Sequence, residues 1–254
     1  MRRLACVVCL LTALCGASHG QDVVRIACEE WPPYSSAHLK HYGLMTRIIS
    51  EAFAAENVKV ELAFFPTARA LQLVKSGEWH ATGGWSPTEE RAEDYYFSDP
   101  LFDEQMVFFH LKSTPFDWQT IEDLYDLEIG TAYGIHYSNE FDRAMREGRL
   151  TTQIEHSDVL NFRKLLHGRV DVVPKNLEAG LSLLLTDFSP EEAASITWHS
   201  KPLDEGPLVL MFSRKNQHSK QLMHSFNKGL ETIKQNGRYE QFFIESRRGD
   251  YATQ

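Results

Sequence analysis

The sequence predicts an α/β fold, because two kinds of hydrophobic periodicity alternate at short intervals along the chain. Between Val58 and Phe64 every second residue is a large apolar one, which is typical of a strand with one buried face. Between Gly43 and Phe53 the apolar residues are spaced three or four apart, as on one side of a helix. Both patterns recur in the second half of the chain, so we expect two α/β units of similar design.

Each unit can be followed element by element. In chain order, the sequence predicts a strand from Val24, a helix at Gly43–Phe53, a strand at Val58–Phe64, a helix at Thr67–Lys75, a strand at Glu128–Ala132, helices at Ser138–Arg146 and Ser157–His167, and a strand at Val170–Val173. No long stretch of Ser, Gly or Pro separates the two units. We therefore expect short strands to join them, with Phe108–Lys112 and Pro202–Leu208 as candidates.

The length and charge of the chain exclude two classes of protein. The chain has 254 residues, of which 43% are hydrophobic, so it can bury a full core and is not disordered. It has 26 Lys and Arg against 35 Asp and Glu, a formal net charge of −9. Because nucleic-acid affinity depends on clustered positive charge, we expect no nucleic-acid partner.

Residues 1–20 have the pattern of a secretory signal peptide. Two arginines precede the apolar stretch Leu4–Leu14, and small residues follow it. The stretch is too short to span a bilayer, so we expect cleavage ahead of Gln21 and export to a bacterial periplasm. The alternative is a lipoprotein signal in which Cys15 is acylated.

Cleavage at that point leaves Cys28 as the single thiol, so no internal disulfide is expected. We expect Cys28 to be a buried strand thiol, since an exposed one would be a liability in an oxidising compartment. His38 and His41 lie close in sequence, but no carboxylate or thiolate is spaced to complete a metal site with them. The sequence predicts neither a metal nor a cofactor.

A glycine pair followed by a helix signal forms the most informative motif. Ser86, with Pro87 next and Glu89 three residues on, predicts a helix that begins at Ser86 with a capping box. The preceding glycines let the backbone come close to another molecule. Arg91 can hold a carboxylate through two parallel charge-assisted hydrogen bonds. The alternative for Arg91 is a solvated helix charge paired with Glu89 or Asp94.

Three motifs occur in a fixed order: an aromatic-Pro-Tyr element at Trp31–Tyr34, the run Gly77–Pro100, and a closing strand with helices at Phe212–Phe242. In this order they resemble the bacterial extracellular solute-binding proteins of family 3, the periplasmic receptors for polar amino acids. The resemblance covers nearly the whole chain after residue 20. It implies a bilobed periplasmic binding protein fold of type II, with two α/β lobes joined by two hinge strands.

The resemblance also implies how the chain is divided and where a ligand binds. Residues 21–110 and 206–254 form lobe 1, and residues 111–205 form lobe 2. Arg91 takes the position of the family's carboxylate-binding arginine, and Ser86 that of a ligand-contacting hydroxyl. The full set of candidate ligand-binding residues is Trp31, Tyr34, Thr67, Arg69, Trp85, Ser86, Arg91, Tyr133, His136 and Asn176. For the aromatic members the alternative is core packing, and for Arg69 a surface ion pair.

The chain departs from the family pattern at two points, both in lobe 2. A small hydroxyl pair aligns with Ile135 and His136, and the acidic residue that would hold an α-ammonium group falls on Asn176. Without that acid an ammonium group in a closed cleft lacks a partner. The acids that could replace it are Glu29, Glu30 and Asp204.

The ligand expected from this pattern is small and bears a carboxylate. Cys28 stands where receptors for basic side chains often carry an acid, so a lysine-like or arginine-like ligand is not expected. An amino acid with an apolar or aromatic side chain, or a related compound, fits better. We expect a monomeric receptor that delivers this solute to a membrane permease of the ABC type. The alternative is a periplasmic enzyme on the same fold, similar to cyclohexadienyl or arogenate dehydratases, with Glu30 or His136 as general acid.

Overall fold

A computed structural model describes residues 23–252 of the chain. The predicted signal peptide and the alternative lipid anchor at Cys15 lie outside the described residues. The strands are β1 (Val23–Cys28), β2 (Lys59–Phe64), β3 (Ala81–Trp85), β4 (Tyr95–Phe97), β5 (Phe102–Leu111), β6 (Glu128–Ala132), β7 (Thr151–Glu155), β8 (Val172–Asn176), β9 (Ile196–Trp198) and β10 (Asp204–Ser213). The α-helices are α1 (Leu44–Ala55), α2 (Thr67–Ser76), α3 (Glu89–Asp94), α4 (Asn139–Arg146), α5 (Asp158–Leu166), α6 (Leu177–Asp187), α7 (Pro190–Ser195), α8 (Ser219–Gln235) and α9 (Arg238–Arg247).

The strands form one continuous mixed sheet in the order β2-β1-β3-β10-β5-β8-β6-β7, with β4 beside β10 and β9 beside β5. Strands β1, β2 and β3 are parallel, as are β6, β7 and β8. We call the part built on β1–β4 the first lobe and the part built on β6–β9 the second lobe. Both use the antiparallel pair β5 and β10.

Two long strands connect the lobes. The first half of β10 pairs with the first half of β5, from Leu208 opposite Phe102 to Asp204 opposite Met106. Beyond Val209, β10 pairs with β3 and β4, whereas β5 pairs beyond Met106 with β8 and β9. Each strand therefore runs from one lobe into the other.

The core of the first lobe lies on both faces of its sheet, because successive strand side chains point to opposite sides. Ile26 packs with α1 and α8, whereas the next residue, Ala27, packs with α2 on the other face. Helices α1 and α8 approach closely at Gly229. A Cβ atom on Gly229 would lie 1.8 Å from the carbonyl oxygen of Ala52, so only glycine fits there.

The core of the second lobe has the same design. Val107 and Phe109 of β5 pack on the side of α5 and α6, where they meet Phe162. Phe108 points to the opposite face and packs with Phe141 of α4. Ser138 caps α4, since its hydroxyl accepts a hydrogen bond from the Phe141 N–H at 3.1 Å.

Most predicted elements are confirmed to within one or two residues, and β6 has the predicted bounds. Two strands differ. The strand predicted at Val170–Val173 extends to Asn176 in the structure, because its pairing with β5 continues through Pro174 and Lys175. The first joining strand begins at Phe102, six residues before the predicted start, because the polar run Asp103–Gln105 pairs with β10 at the crossing.

Cys28 is a buried free thiol at the end of β1, as predicted. Burial raises the pKa of the thiol to about 12, so the protein holds it uncharged at neutral pH.

Candidate functional site

A cavity of about 240 Å³ lies where the two lobes meet. Trp31 from the first lobe, Glu104 and Met106 from β5, and the loop 134–137 and Asn176 from the second lobe line it. An adjoining cavity of about 170 Å³ shares part of this lining and adds residues of the first lobe and of β10. The added residues are Ser86, Asp204, Glu205 and Gly206. We call the two cavities together the cleft.

Topology explains why these residues meet. Trp31 follows β1, Ser86 follows β3, the loop 134–137 follows β6, and Asn176 ends β8. In an α/β sheet, the loops at the carboxyl ends of parallel strands form the crevice in which ligands bind. The two sets of parallel strands thus present these loops to each other across β5 and β10.

The Trp31 ring forms an aromatic wall of the cleft. It packs against the Tyr34 ring at 4.6 Å between centroids, and the backbone N–H of Trp31 donates to the Ser35 carbonyl at 2.7 Å. The ring also lies against Gly84, which has a φ of +84°. A Cβ atom on Gly84 would be 3.1 Å from Trp31 Cζ3, so the glycine gives the ring its place.

Tyr34 is buried behind Trp31 and lines neither cavity of the cleft. Its side chain is 1% exposed, and its ring stacks on Phe102 at 5.1 Å with only 10° between the planes. The hydroxyl donates to Asn176 Oδ1 at 2.9 Å. The structure therefore gives Tyr34 the core-packing role that the sequence left as the alternative, with a hydrogen bond between the lobes in addition.

Asn176 links that hydroxyl to a carboxylate. Its Oδ1 accepts from the Tyr34 hydroxyl and from the Ala179 backbone N–H, both at 2.9 Å. Because a backbone N–H can only donate, the amide oxygen must face it, and the NH₂ group then points to Glu104. Asn176 Nδ2 donates to Glu104 Oε1 at 2.9 Å.

Glu104 is the charged group at the centre of the cleft, since it lines both cavities. Burial raises the pKa of its carboxyl, the Asn176 hydrogen bond and the Lys175 charge lower it, and the Asp204 charge raises it. The net direction is upward, so the site disfavours the carboxylate form. Among the described residues, Glu104 forms no ion pair within 4 Å.

Most of the other ionisable groups at the cleft have partners, whereas the carboxylates of Asp204 and Glu205 in the adjoining cavity bond to no described residue. Lys175 Nζ lies 2.5 Å from Asp158 Oδ2, and both side chains are largely buried. His136 Nδ1 lies 2.6 Å from Asp142 Oδ2, with most of the ring exposed. Tyr137 is buried, and its hydroxyl accepts a hydrogen bond from the Ala132 N–H at 2.6 Å.

The helix that carries Arg91 begins later than predicted. Helix α3 starts at Glu89, and the Thr88 hydroxyl caps it by accepting from the Arg91 N–H at 3.2 Å. The predicted start at Ser86 with a capping box is therefore wrong. Residues 86–88 belong to neither β3 nor α3. Thr88 takes the cap because Glu89 and Glu90 then fill the first turn, where acidic side chains are favourable.

Arg91 lies beside the cleft and not in it. Its guanidinium lies 5.0 Å over the Trp85 ring and donates to the Ser86 carbonyl at 2.7 Å. It borders a separate cavity of about 510 Å³, next to Gln72 and Lys75 of α2. This cavity and the cleft share no lining residue within the described chain.

The two candidates on α2 also lie outside the cleft. Thr67 is exposed and donates from its hydroxyl to Glu29 Oε2 at 2.5 Å. Arg69 is exposed, and its guanidinium makes no hydrogen bond or ion pair with the described residues. Neither lines the two cavities of the cleft.

The remaining aromatic candidates lie next to residues of the cleft. Trp85 donates from Nε1 to Thr82 Oγ1 at 3.2 Å, and Arg91 covers one of its faces. Tyr133 is 71% exposed, with its ring 5.0 Å from that of His156. The structure thus brings Trp31, Ser86, His136 and Asn176 together in the cleft, and leaves the other candidates beneath it or beside it.

Sequence reasoning missed Glu104, the acid that the structure places in the cleft. Of the three proposed substitutes, Glu29 holds Thr67 and Glu30 holds the Ala37 N–H, whereas Asp204 lines the adjoining cavity. Glu104 and Met106 lie on one face of β5, because alternate residues of a strand point to the same side. Asp103 and Gln105 on either side of Glu104 are also polar, so the sequence there shows no alternation of apolar and polar residues.

Two properties of the described residues bear on the class of protein. Residues 23–252 contain no group of three or more His, Cys, Asp or Glu side chains placed to hold a metal ion. No helix in the same range has the length and apolar character needed to cross a membrane.

Two mixed α/β lobes joined by two strands, with a cleft between them, define a periplasmic binding protein fold of type II. Residues 24–245 match the family described as bacterial extracellular solute-binding proteins, family 3. The chain belongs to this family.

Relatives share the fold at low sequence identity. The open form of substrate-binding domain 2 of Lactococcus lactis GlnP superposes with a TM-score of 0.72 and 16% identity, over 89% of this chain and 95% of that chain. The Streptococcus pneumoniae Canada MDR_19A substrate-binding protein AbpA, bound to L-arginine, gives a TM-score of 0.58 and 16% identity, over 89% and 94%. An uncharacterized protein of Shewanella oneidensis strain MR-1 is 23% identical over 237 residues, which are 89% of this chain and 83% of that protein.

Proposed function

We propose that the protein is a periplasmic receptor that clamps a small carboxylate-bearing solute, an amino acid or a related compound, for uptake by an ABC-type permease. The cleft carries this proposal, because residues of both lobes line one cavity of a size that suits a small solute. In this proposal residues 21–110 and 206–254 move as one lobe and residues 111–205 as the other, with closure at β5 and β10.

Arg91 is the proposed partner of the solute's carboxylate. Its guanidinium is bonded to the carbonyl of Ser86, and Ser86 itself lines the cleft. Release of that single hydrogen bond frees a planar donor fork at the rim, where it can bind a carboxylate through two parallel hydrogen bonds. Trp31 covers the bound solute from the first lobe.

Binding without chemical turnover is part of the proposal. The titratable groups that the sequence suggested for the enzyme alternative are already engaged: Glu30 accepts a backbone hydrogen bond, and His136 is paired with Asp142. A receptor returns its ligand unchanged, and its Tm rises with ligand concentration.

A thermal-shift and calorimetric screen of residues 21–254 against amino acids and small carboxylates tests the proposal. We expect at least one solute to raise the Tm and to be recovered unchanged by NMR. Prephenate and arogenate are included, and conversion of either one would contradict the receptor function. A protein that responds to no solute would contradict it as well.

The Arg91→Ala variant tests the carboxylate site within that screen. Loss of a charge-assisted pair is expected to weaken binding about tenfold to a hundredfold, with the apo Tm within a few degrees of the wild type. Arg163→Ala is the matched control, since that guanidinium also lies over a ring, Phe188 at 5.4 Å, but, unlike Arg91, bonds to no residue that lines the cleft. Equal affinity in Arg91→Ala and wild type would remove Arg91 from the site.

A further inference from the structure

We propose that Glu104 on β5 is the counter-ion for a positively charged amino group of the solute, so that the cleft selects amine-bearing compounds over acids that lack an amine. This inference rests on the proposed receptor function and specifies which chemical group the cleft recognises.

The first argument is the position of the carboxylate. Glu104 lines both cavities of the cleft, on the strand that runs from one lobe into the other. A solute enclosed between the lobes therefore meets this side chain whichever of the two cavities it fills. A charge at that point contributes to the affinity of every bound solute.

The second argument is the unequal use of its two oxygens. Oε1 accepts from Asn176 Nδ2, whereas Oε2 accepts from no described residue. A carboxylate oxygen has two lone pairs, and Oε2 is accessible from the cleft without a protein donor, so a solute can donate to it. An ammonium group, with three donors and a full positive charge, fits the open oxygen.

The third argument is that the surrounding protein holds Glu104 in place without neutralising it. The Tyr34 hydroxyl and the Ala179 N–H fix the Asn176 amide, which in turn fixes Glu104. Lys175 is the cation of the cleft lining, and it is paired with Asp158 at 2.5 Å. The carboxylate of Glu104 is thus oriented but has no direct ion-pair partner among the described residues, which is the arrangement that favours a cationic ligand.

The fourth argument is the aromatic wall. Trp31 lines the same cavity as Glu104, and the indole face attracts cations through its quadrupole. A cation in the cleft can therefore contact a carboxylate and a tryptophan together. Neither contact would favour a second carboxylate in the same place.

The test varies the ligand and the protein together. Three pairs of probes differ mainly in the amine: L-phenylalanine and 3-phenylpropionate, L-norleucine and hexanoate, and L-glutamate and glutarate. Calorimetry at pH 7.5 compares them with wild type, Glu104→Gln and Asp103→Asn. Asp103 is the matched control, because it is the neighbouring acid on β5, is exposed and lies on the opposite face of the strand.

We expect the wild type to prefer the amine-bearing member of the pair it binds by about tenfold to a hundredfold. Glu104→Gln should abolish that preference while Asp103→Asn keeps it. A wild type without the preference, or a Glu104→Gln variant that retains it, would overturn the inference and leave the receptor standing. A wild type that binds neither these probes nor any compound of the wider screen would instead contradict the receptor function. If Glu104→Gln does not fold, Glu104→Asp takes its place, and a wild type without the preference overturns the inference whichever variant is used.

Discussion

Gly84 leaves space for the Trp31 ring at the cleft, because it has no Cβ atom. Its φ is +84°, and a Cβ atom there would lie 3.1 Å from both Trp31 Cζ3 and Met45 Sδ, so these side chains would have to shift to admit one. We expect Gly84→Ala to cost about 2–4 kcal/mol in the free energy of unfolding, because backbone strain and overpacking add.

Gly148→Ala separates the two contributions to that cost. Gly148 has a φ of +69°, but no atom lies within 4 Å of the position that a Cβ atom would take there, so only the backbone cost of about 1–2 kcal/mol applies. Urea denaturation of both variants measures the difference. Equal costs would mean that neither Trp31 nor Met45 needs the space at Gly84.

Glu104 illustrates how a ligand site can lower the stability of the empty protein. Burial raises the pKa of its carboxyl above that of the unfolded chain, with Asp204 raising it further and Lys175 opposing. A raised folded-state pKa gives stability that is present below the unfolded pKa and lost as the pH rises through the folded pKa. His136 and Asp158, which also line the cavity, are paired with Asp142 and Lys175 and not with Glu104.

We therefore expect Glu104→Gln to raise the Tm of the unliganded protein at pH 7.5 and to raise it less at pH 4. The measurement is differential scanning calorimetry of both proteins across that range. A Glu104→Gln protein that is less stable than wild type at pH 7.5 would show that the carboxylate has a stabilising partner.

Single residues also show how far sequence reasoning reaches at the site. It found Trp31, Ser86, His136 and Asn176 through the resemblance to family 3, whose motifs place ligand-contacting residues at these positions. It did not predict that Arg91 would bond to the Ser86 carbonyl, since a side-chain rotamer depends on neighbours that the sequence does not place. It missed Glu104 because two polar neighbours hide the periodicity of β5.

At the level of elements, helices α6 and α9 are tied by an ion pair between the lobes. Arg247 Nε lies 3.0 Å from Glu178 Oε1, and Glu178 is buried while Arg247 is about half exposed. Removal of either partner leaves a different group behind. Arg247 can be solvated alone, whereas Glu178 cannot.

We expect Arg247→Met to cost about 2 kcal/mol in the free energy of unfolding, since it leaves a buried carboxylate unpaired. Glu178→Gln should cost less than about 1 kcal/mol, because the remaining guanidinium reaches water. Chemical denaturation of the two variants checks this order. The reverse order would indicate that the arginine is the less easily solvated partner.

The bounds of helices and strands were predicted well where a single hydrophobic periodicity runs through the whole element. The alternation in β2 and the spacing in α1 are long and regular, so their bounds agree closely. Helix α3 has six residues and two hydroxyl side chains before it, Ser86 and Thr88, and only the backbone conformation decides which one caps the helix. The crossing part of β5 is polar because it pairs with β10 alone.

At the level of the whole molecule, the fold fixes which motion is available. Two packed cores are joined by β5 and β10, and the cleft lies beside these strands. The closure proposed here is a rotation of the lobes about these strands, which would leave both cores intact. The sequence predicted this arrangement through its three ordered motifs, whereas the lobe boundaries at residues 110 and 205 stay predictions.

The central claim is that both lobes close on a solute, and small-angle X-ray scattering of residues 21–254 tests it most directly. Scattering is recorded without ligand and with a saturating concentration of the tightest binder from the screen. The account predicts a smaller radius of gyration at unchanged molecular mass in the presence of ligand. A radius that stays the same while calorimetry shows the protein to be saturated would contradict it.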